Sequence, residues 1–139
     1  MENSVIELNE AIQSKTLLSS TSKEPISASV YNNLGLTYFE KNEMDNAILQ
    51  FTNAIKPGSS GGGQAVHYNN RGLAYFHEGF KDKALDDFND AVRLNTQGDP
   101  TIYFNRGNVL LALENFQEAI SDYKEASKIS PSNPKYHHA

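Results

Sequence analysis

Tyr31-Asn32-Asn33-Leu34-Gly35, Tyr68-Asn69-Asn70-Arg71-Gly72 and Tyr103-Phe104-Asn105-Arg106-Gly107 are near-copies of one phrase, with glycines 37 and 35 residues apart. Self-similarity at a nearly fixed period marks a repeat architecture. The copies extend outward from each glycine. Tyr precedes it by four (Tyr31, Tyr68, Tyr103) and Asn by two (Asn33, Asn70, Asn105). A large apolar residue follows by three (Tyr38, Tyr75, Leu110), and Ala by twelve (Ala47, Ala84, Ala119). An aromatic follows by sixteen (Phe51, Phe88, Tyr123), and Ala again by nineteen (Ala54, Ala91, Ala126).

Apolar residues recurring at three and four describe a helical stripe. The first stripe runs from Tyr31 to Phe39 and the second through Ala47, Ile48, Phe51, Ala54 and Ile55. Between them lies Lys41-Asn42-Glu43, and the later copies break at Glu78-Gly79 and Glu114-Asn115. Each unit therefore reads as an αα-hairpin. A mid-helix Gly costs up to about 1 kcal/mol against Ala, so its recurrence points to close helix packing. The recurring alanines are the expected mating surface.

The pattern resembles the tetratricopeptide repeat, a 34-residue helix–turn–helix unit. The resemblance covers about residues 28–133 and includes a closing Pro131. It implies an all-α, right-handed solenoid of antiparallel helix pairs. The repeats fall at 28–63, 64–99 and 100–133. The first carries an insert, Gly58-Ser59-Ser60-Gly61-Gly62-Gly63, and the second one extra residue near Asp99. Pro57 should shorten its helix. Leu110 replaces an aromatic, and Glu114 stands where the second copy has Gly79.

Residues 1–27 form a partial repeat or a capping helix followed by a Ser/Lys-rich loop at 14–24. Ser4 to Ile12 aligns with Ala47 to Ile55. Pro25 suits the first turn of the next helix. Residues 134–139 are the start of a further repeat or a tail. Solenoids need polar caps at their ends, and none is legible after residue 133. The expectation is a segment of a longer protein or a chain that self-associates.

Composition limits the partners. The chain has 139 residues, a net charge of -5 and no cysteine. That excludes a disulfide framework and thiolate metal sites. Nonspecific binding to nucleic acid or an anionic membrane needs clustered cations, which the chain lacks. No apolar run reaches the roughly 18 residues of a spanning helix. A cytoplasmic location is expected. His67, His77, His137 and His138 form no zinc motif. The glycine-rich insert lacks the Lys-Ser/Thr of a phosphate loop and reads as a flexible connector. No catalytic set and no cofactor site emerge.

The resemblance implies that the first helix of each repeat lines a concave groove. Asn33, Asn70 and Asn105 would then form a ladder of amides, each offering two donors and an acceptor to a peptide backbone. Asn32, Asn69 and Phe104 stand beside it, as do Leu36, Leu73 and Asn108, with Phe39, Phe76 and Leu111 further along. A groove of amides and apolar patches suits an extended or helical apolar segment. The competing role for Phe39 and Phe76 is inter-repeat core.

Family members that bind chaperone tails grip a terminal carboxylate with cations and asparagines. Those positions map onto Asn32, Leu36, Asn70, Thr101 and Asn105, of which only Asn70 matches. A carboxylate clamp needs fixed cations, so an Hsp70/Hsp90 C-terminal tail is not the expected ligand. Arg71 and Arg106 precede their glycines by one, and Asp87 and Asp122 follow them by fifteen. The first copy has Leu34 and Gln50 instead. An Arg–Asp bridge between helices is expected in preference to an anion site.

The functional expectation is a non-enzymatic protein–protein interaction module, an adaptor or scaffold holding a partner segment. The alternatives are self-assembly through open solenoid ends and a regulatory domain of a larger enzyme.

Overall fold

The computed structural model describes residues 26–130. The expected half-repeat, the loop at 14–24, Pro25, Pro131 and the tail lie outside the described residues. Six helices follow in order: α1 (Ala28–Glu40), α2 (Met44–Ile55), α3 (Ala65–His77), α4 (Lys81–Arg93), α5 (Pro100–Ala112) and α6 (Phe116–Ile129). They pair as α1–α2, α3–α4 and α5–α6, and each hairpin stacks on the next through α2–α3 and α4–α5. The first helices α1, α3 and α5 also touch in sequence, whereas the second helices make no comparable contact. The stack therefore curves toward the first helices, which line its inner face.

Local chemistry sets the helix ends. The Ser27 hydroxyl accepts from Ser29 N–H at 3.2 Å, so α1 begins before the Tyr31 stripe. Asp99 caps α5 in the same way at 2.9 Å, with Pro100 in the first turn. Both are N-cap residues that satisfy an orphan amide. Helix α2 stops at Ile55, two residues before Pro57. At the start of α3, Gln64 N–H donates to His67 Nδ1 at 3.1 Å. Burial pushes the His67 imidazole below its ordinary pKa of 6.5. Protonation costs the native state this bond and a desolvated charge. The unfolded chain then binds more protons, so stability falls as pH drops through 6.5. Urea midpoints at pH 7.5 and pH 5 should differ more for the native chain than for His67→Gln.

All three hairpins turn on one device. The residue seven after each repeat glycine is left-handed: Asn42 (φ 62°), Gly79 (φ 86°) and Glu114 (φ 64°). The next amide closes the motif. Glu43 N–H donates to the Tyr38 carbonyl at 2.9 Å, Phe80 to Tyr75 at 2.9 Å and Asn115 to Leu110 at 2.8 Å. This is the hydrogen-bond pattern of a helix C-terminal cap. Glycine adopts the conformation freely, whereas a glutamate is strained by about 1 kcal/mol. Glu114→Gly should raise stability by about 1 kcal/mol, read from the thermal midpoint.

The glycine-rich insert is not a loose connector, contrary to the sequence expectation. Ser60 N–H donates to the Ile26 carbonyl at 3.2 Å, and Ala28 N–H donates to the Ser60 carbonyl at 2.8 Å. Gly63 N–H donates to the Ala54 carbonyl at 3.3 Å. The insert thus ties the end of α2 to the start of α1.

The repeat glycines pack against aromatics, where the sequence suggested alanine. A methyl placed on Gly35 would meet Phe51 Cε1 at 2.5 Å. At Gly72 it would meet the Phe88 ring at 3.0 Å, and at Gly107 the Tyr123 ring at 2.9 Å. Phe51 and Phe88 are wholly buried, so each glycine is the floor on which the next helix lays its ring. The alanines pack beside these rings: Ala47 and Ala74 join Phe51, and Ala84 joins Phe88.

Candidate functional site: the inner face of the helix stack

The asparagines of the first helices lie where successive hairpins meet. Asn70 Nδ2 donates to Asn32 Oδ1 at 2.9 Å. Asn105 Nδ2 repeats this with Asn69 Oδ1 at 3.0 Å. The residue two before each glycine thus reaches back to the residue three before the preceding glycine. The amides are partly engaged with each other, and Asn69 and Asn70 are only 9% exposed. Asn33, the first of its series, is exposed, and Asn105 is half-buried.

The apolar candidates divide by exposure. Leu36 is 39% exposed, and Leu73 is half-buried. Phe39 lies edge-on to the His77 ring at 6.0 Å and packs against the cluster of Met44, Ala47, Phe51 and Ala74. Phe76 packs against the cluster of Ala84, Phe88 and Val109. Both phenylalanines therefore join hairpins, and both keep a partly exposed edge.

The third repeat is built differently. Phe104 packs on the Tyr123 ring at 5.8 Å, and Asn108 accepts from the Tyr123 hydroxyl at 2.7 Å. At the matching positions the first two copies have Leu36 with Phe51 and Leu73 with Phe88, and phenylalanine has no hydroxyl to satisfy. The paired changes keep a buried polar atom bonded. They give the inner face an amide and an aromatic at its third repeat.

A cleft of about 430 Å³ opens beside Asn69, between Val66 at the start of α3 and the loop Leu94–Asp99. Sequence reasoning missed it. No sequence signal marks it, because Val66 and the extra residue near Asp99 lie in different stretches of the chain and meet only in the fold.

The two Arg–Asp pairs lie between helices, away from these amides. Arg71 donates to both Asp87 oxygens at 2.8 and 2.7 Å, and Arg106 to both Asp122 oxygens at 2.7 Å. Arg71 also reaches Thr52 Oγ1 at 3.2 Å, and Arg106 reaches Asn89 Oδ1 at 3.3 Å, each on the preceding hairpin. Tyr68 and Tyr75 flank Arg71 at 5.9 and 5.7 Å. One guanidinium thus joins three helices. Burial pushes the Asp87 carboxyl up, against the opposing pull of Arg71. The hydrogen bond to Asp87 raises Arg71. In each pair the carboxylate takes two guanidinium protons and supplies the counter-charge, so these cations hold the fold.

Among the described residues, no three His, Cys, Asp or Glu come together to hold a metal. None of the described helices is long and apolar enough to cross a membrane.

Models of the tetratricopeptide repeat match at residues 28–56 and 100–133. No curated protein matches the chain. Solved structures do. The first repeat domain of Spaghetti (RPAP3), bound to the HSP90 peptide SRMEEVD, is similar at 30% identity and a TM-score of 0.73. That match covers 79% of this chain and 84% of the other. The first such domain of human RPAP3 is also 30% identical, with a TM-score of 0.68, covering 78% and 83%. The Arabidopsis OM64 domain shares the fold at 24% identity and a TM-score of 0.71, covering 78% and 87%. Domains of this kind are protein–protein interaction modules. Repeat spacing, helix order and a relative of this identity all agree, and the chain belongs to the tetratricopeptide repeat family.

Proposed function

We propose that the chain is an adaptor or scaffold module that holds an extended, largely uncharged segment of a protein partner along the inner face of α1, α3 and α5. One observation carries the reading: the amide pairs Asn70–Asn32 and Asn105–Asn69 run along that face beside exposed Leu36. An amide that gives one proton to its neighbour keeps a second proton and acceptor capacity for a peptide backbone. Pairing also fixes each amide's orientation before binding, which lowers the ordering cost. Apolar side chains of the segment would meet Leu36, Leu73 and the edges of Phe39 and Phe76.

The relative at 30% identity binds an acidic peptide, SRMEEVD. The five clamp-equivalent positions here, Asn32, Leu36, Asn70, Thr101 and Asn105, carry no cation. A peptide carboxylate would have to give up water for neutral amides alone. The reading therefore excludes grip on a free C-terminus. In calorimetric titrations, SRMEEVD and its C-terminally amidated form should bind equally weakly. A clear preference for the free carboxylate would refute this part of the proposal.

The groove itself is tested with peptides selected on the chain from a random library. Asn33→Ala and Leu36→Asp both alter exposed positions, so stability should hold. Affinity for a selected peptide should fall about tenfold or more, a loss of about 1.4 kcal/mol. Asn33 is a cleaner test than Asn70, whose replacement also breaks a bond between hairpins. Unchanged affinity in both variants would dismiss the groove.

A further inference from the structure

The third repeat exchanges two inner-face positions. Three before the glycine stand Asn32, Asn69 and then Phe104, whereas one after it stand Leu36, Leu73 and then Asn108. Residues four apart are neighbours on one side of a helix. The amide has therefore moved one turn along α5, and an aromatic has taken its place. The two arrangements put their amides to different use. Asn32 and Asn69 give their oxygens to Asn70 and Asn105, in the joints between hairpins. Asn108 gives its oxygen to the Tyr123 hydroxyl of its own hairpin. Its Nδ2 has no partner among the described residues. No buried side-chain nitrogen or oxygen among those residues is unpaired, so this Nδ2 is open to solvent.

The phenol fixes which end of the amide is presented. A free asparagine side chain can turn to offer either its donor or its acceptor end. Burial and the Asp122 carboxylate push the Tyr123 phenol above its ordinary pKa, so it stays protonated and keeps its donor. Held by its oxygen, Asn108 offers donors alone.

We propose that Asn108 is a donor subsite of the inner face that selects a neutral acceptor-bearing side chain, the amide of Asn or Gln, on the partner segment, with Tyr123 as its positioning residue. Resting on the inner-face reading above, this subsite gives the groove a direction. Leu36 and Leu73 take apolar side chains over α1 and α3, and Asn108 takes a polar one over α5. An apolar side chain there would strip water from the Nδ2 protons and return no acceptor. A carboxylate would lose more hydration for the same single bond, since the inner-face positions carry no cation. Three identical subsites would let a segment slip by one repeat. The exchange at the third repeat fixes its register.

Peptides are selected from a random library on the native chain and on the double variant Asn108→Leu, Tyr123→Phe. That variant carries the Leu–Phe combination of the first two copies, so it should fold. The native pool should enrich Asn or Gln at one fixed position, and the double-variant pool an apolar residue there. On the native chain, a selected Gln peptide should bind about fivefold tighter than its Leu form or its Glu form. On the double variant the preference for Gln over Leu should vanish or reverse. Tyr123→Phe alone deletes one hydroxyl and keeps the ring. Affinity for the Leu form should then hold, while the preference for Gln drops to about twofold or less. A purely structural Tyr123 would weaken both peptides together and leave their ratio unchanged, and that outcome removes it as a positioning residue. A native pool with no fixed polar position, or an unchanged ratio in the double variant, would overturn the proposal. NMR separates this from the inner-face reading. Amide shifts at Leu36 and Leu73 with an unchanged ratio defeat the subsite alone. Selected peptides that leave Leu36 and Leu73 unmoved defeat the inner-face reading, and the subsite with it.

Discussion

Asp87→Ala should lower the unfolding free energy by about 3–5 kcal/mol, the usual cost of removing one partner from a buried ion pair. Asp87 is 3% exposed and holds both ends of the Arg71 fork. Without it the guanidinium keeps Thr52 and two aromatic rings but has no counter-charge. Replacing a buried ion pair by apolar groups is often neutral, and burial opposes ionisation of Asp87 here. The first repeat carries the natural replacement, Leu34 with Gln50, and Leu34 is fully buried there. The double variant Arg71→Leu, Asp87→Gln should therefore recover most of the loss. Urea denaturation of Arg71→Leu, Asp87→Gln and the double variant gives the coupling energy. If Asp87→Ala costs less than about 1 kcal/mol, the pair behaves as an exposed surface bridge and the account of the inter-helix joint fails.

Gly35→Ala is the second large effect, with an expected loss of about 1–3 kcal/mol from overpacking. Helix propensity alone predicts the opposite, a gain of up to about 1 kcal/mol. The added methyl would lie 2.5 and 2.6 Å from Phe51 Cε1 and Cδ1, and that ring has no exposed surface into which to retreat. The closest approaches are 2.9 Å at Gly107 and 3.0 Å at Gly72. Thermal midpoints should therefore fall most for Gly35→Ala, then Gly107→Ala, and least for Gly72→Ala. An increase at Gly35 would mean that propensity outweighs the packing.

The hairpins were legible in the sequence because their signal is periodic and local. Three glycines fixed the register, and the apolar stripes fixed the helices. The glycine's partner was not legible in the same way. The aromatic sixteen residues later and the alanines at twelve and nineteen recur equally well. Only the three-dimensional crossing shows which side chain faces the gap. The amide pairs escaped for a different reason. Asn32 and Asn70 are 38 residues apart, and Asn69 and Asn105 are 36 apart, on different hairpins. One copy at a time the motif suggests a ladder of single asparagines, whereas Asn-Asn recurs in two consecutive copies. The insert misled through composition. Its glycines serve tight backbone approach and left-handed turns, where looseness was expected.

The central claim is that a partner segment lies along the inner face. A library-selected peptide titrated into isotope-labelled chain, followed by amide and side-chain NMR shifts, tests it most directly. The account predicts shifts on Asn33, Leu36, Asn70, Leu73 and Asn105, all on α1, α3 and α5. Shifts confined to α2, α4 and α6, with the asparagine side chains unmoved, would contradict it.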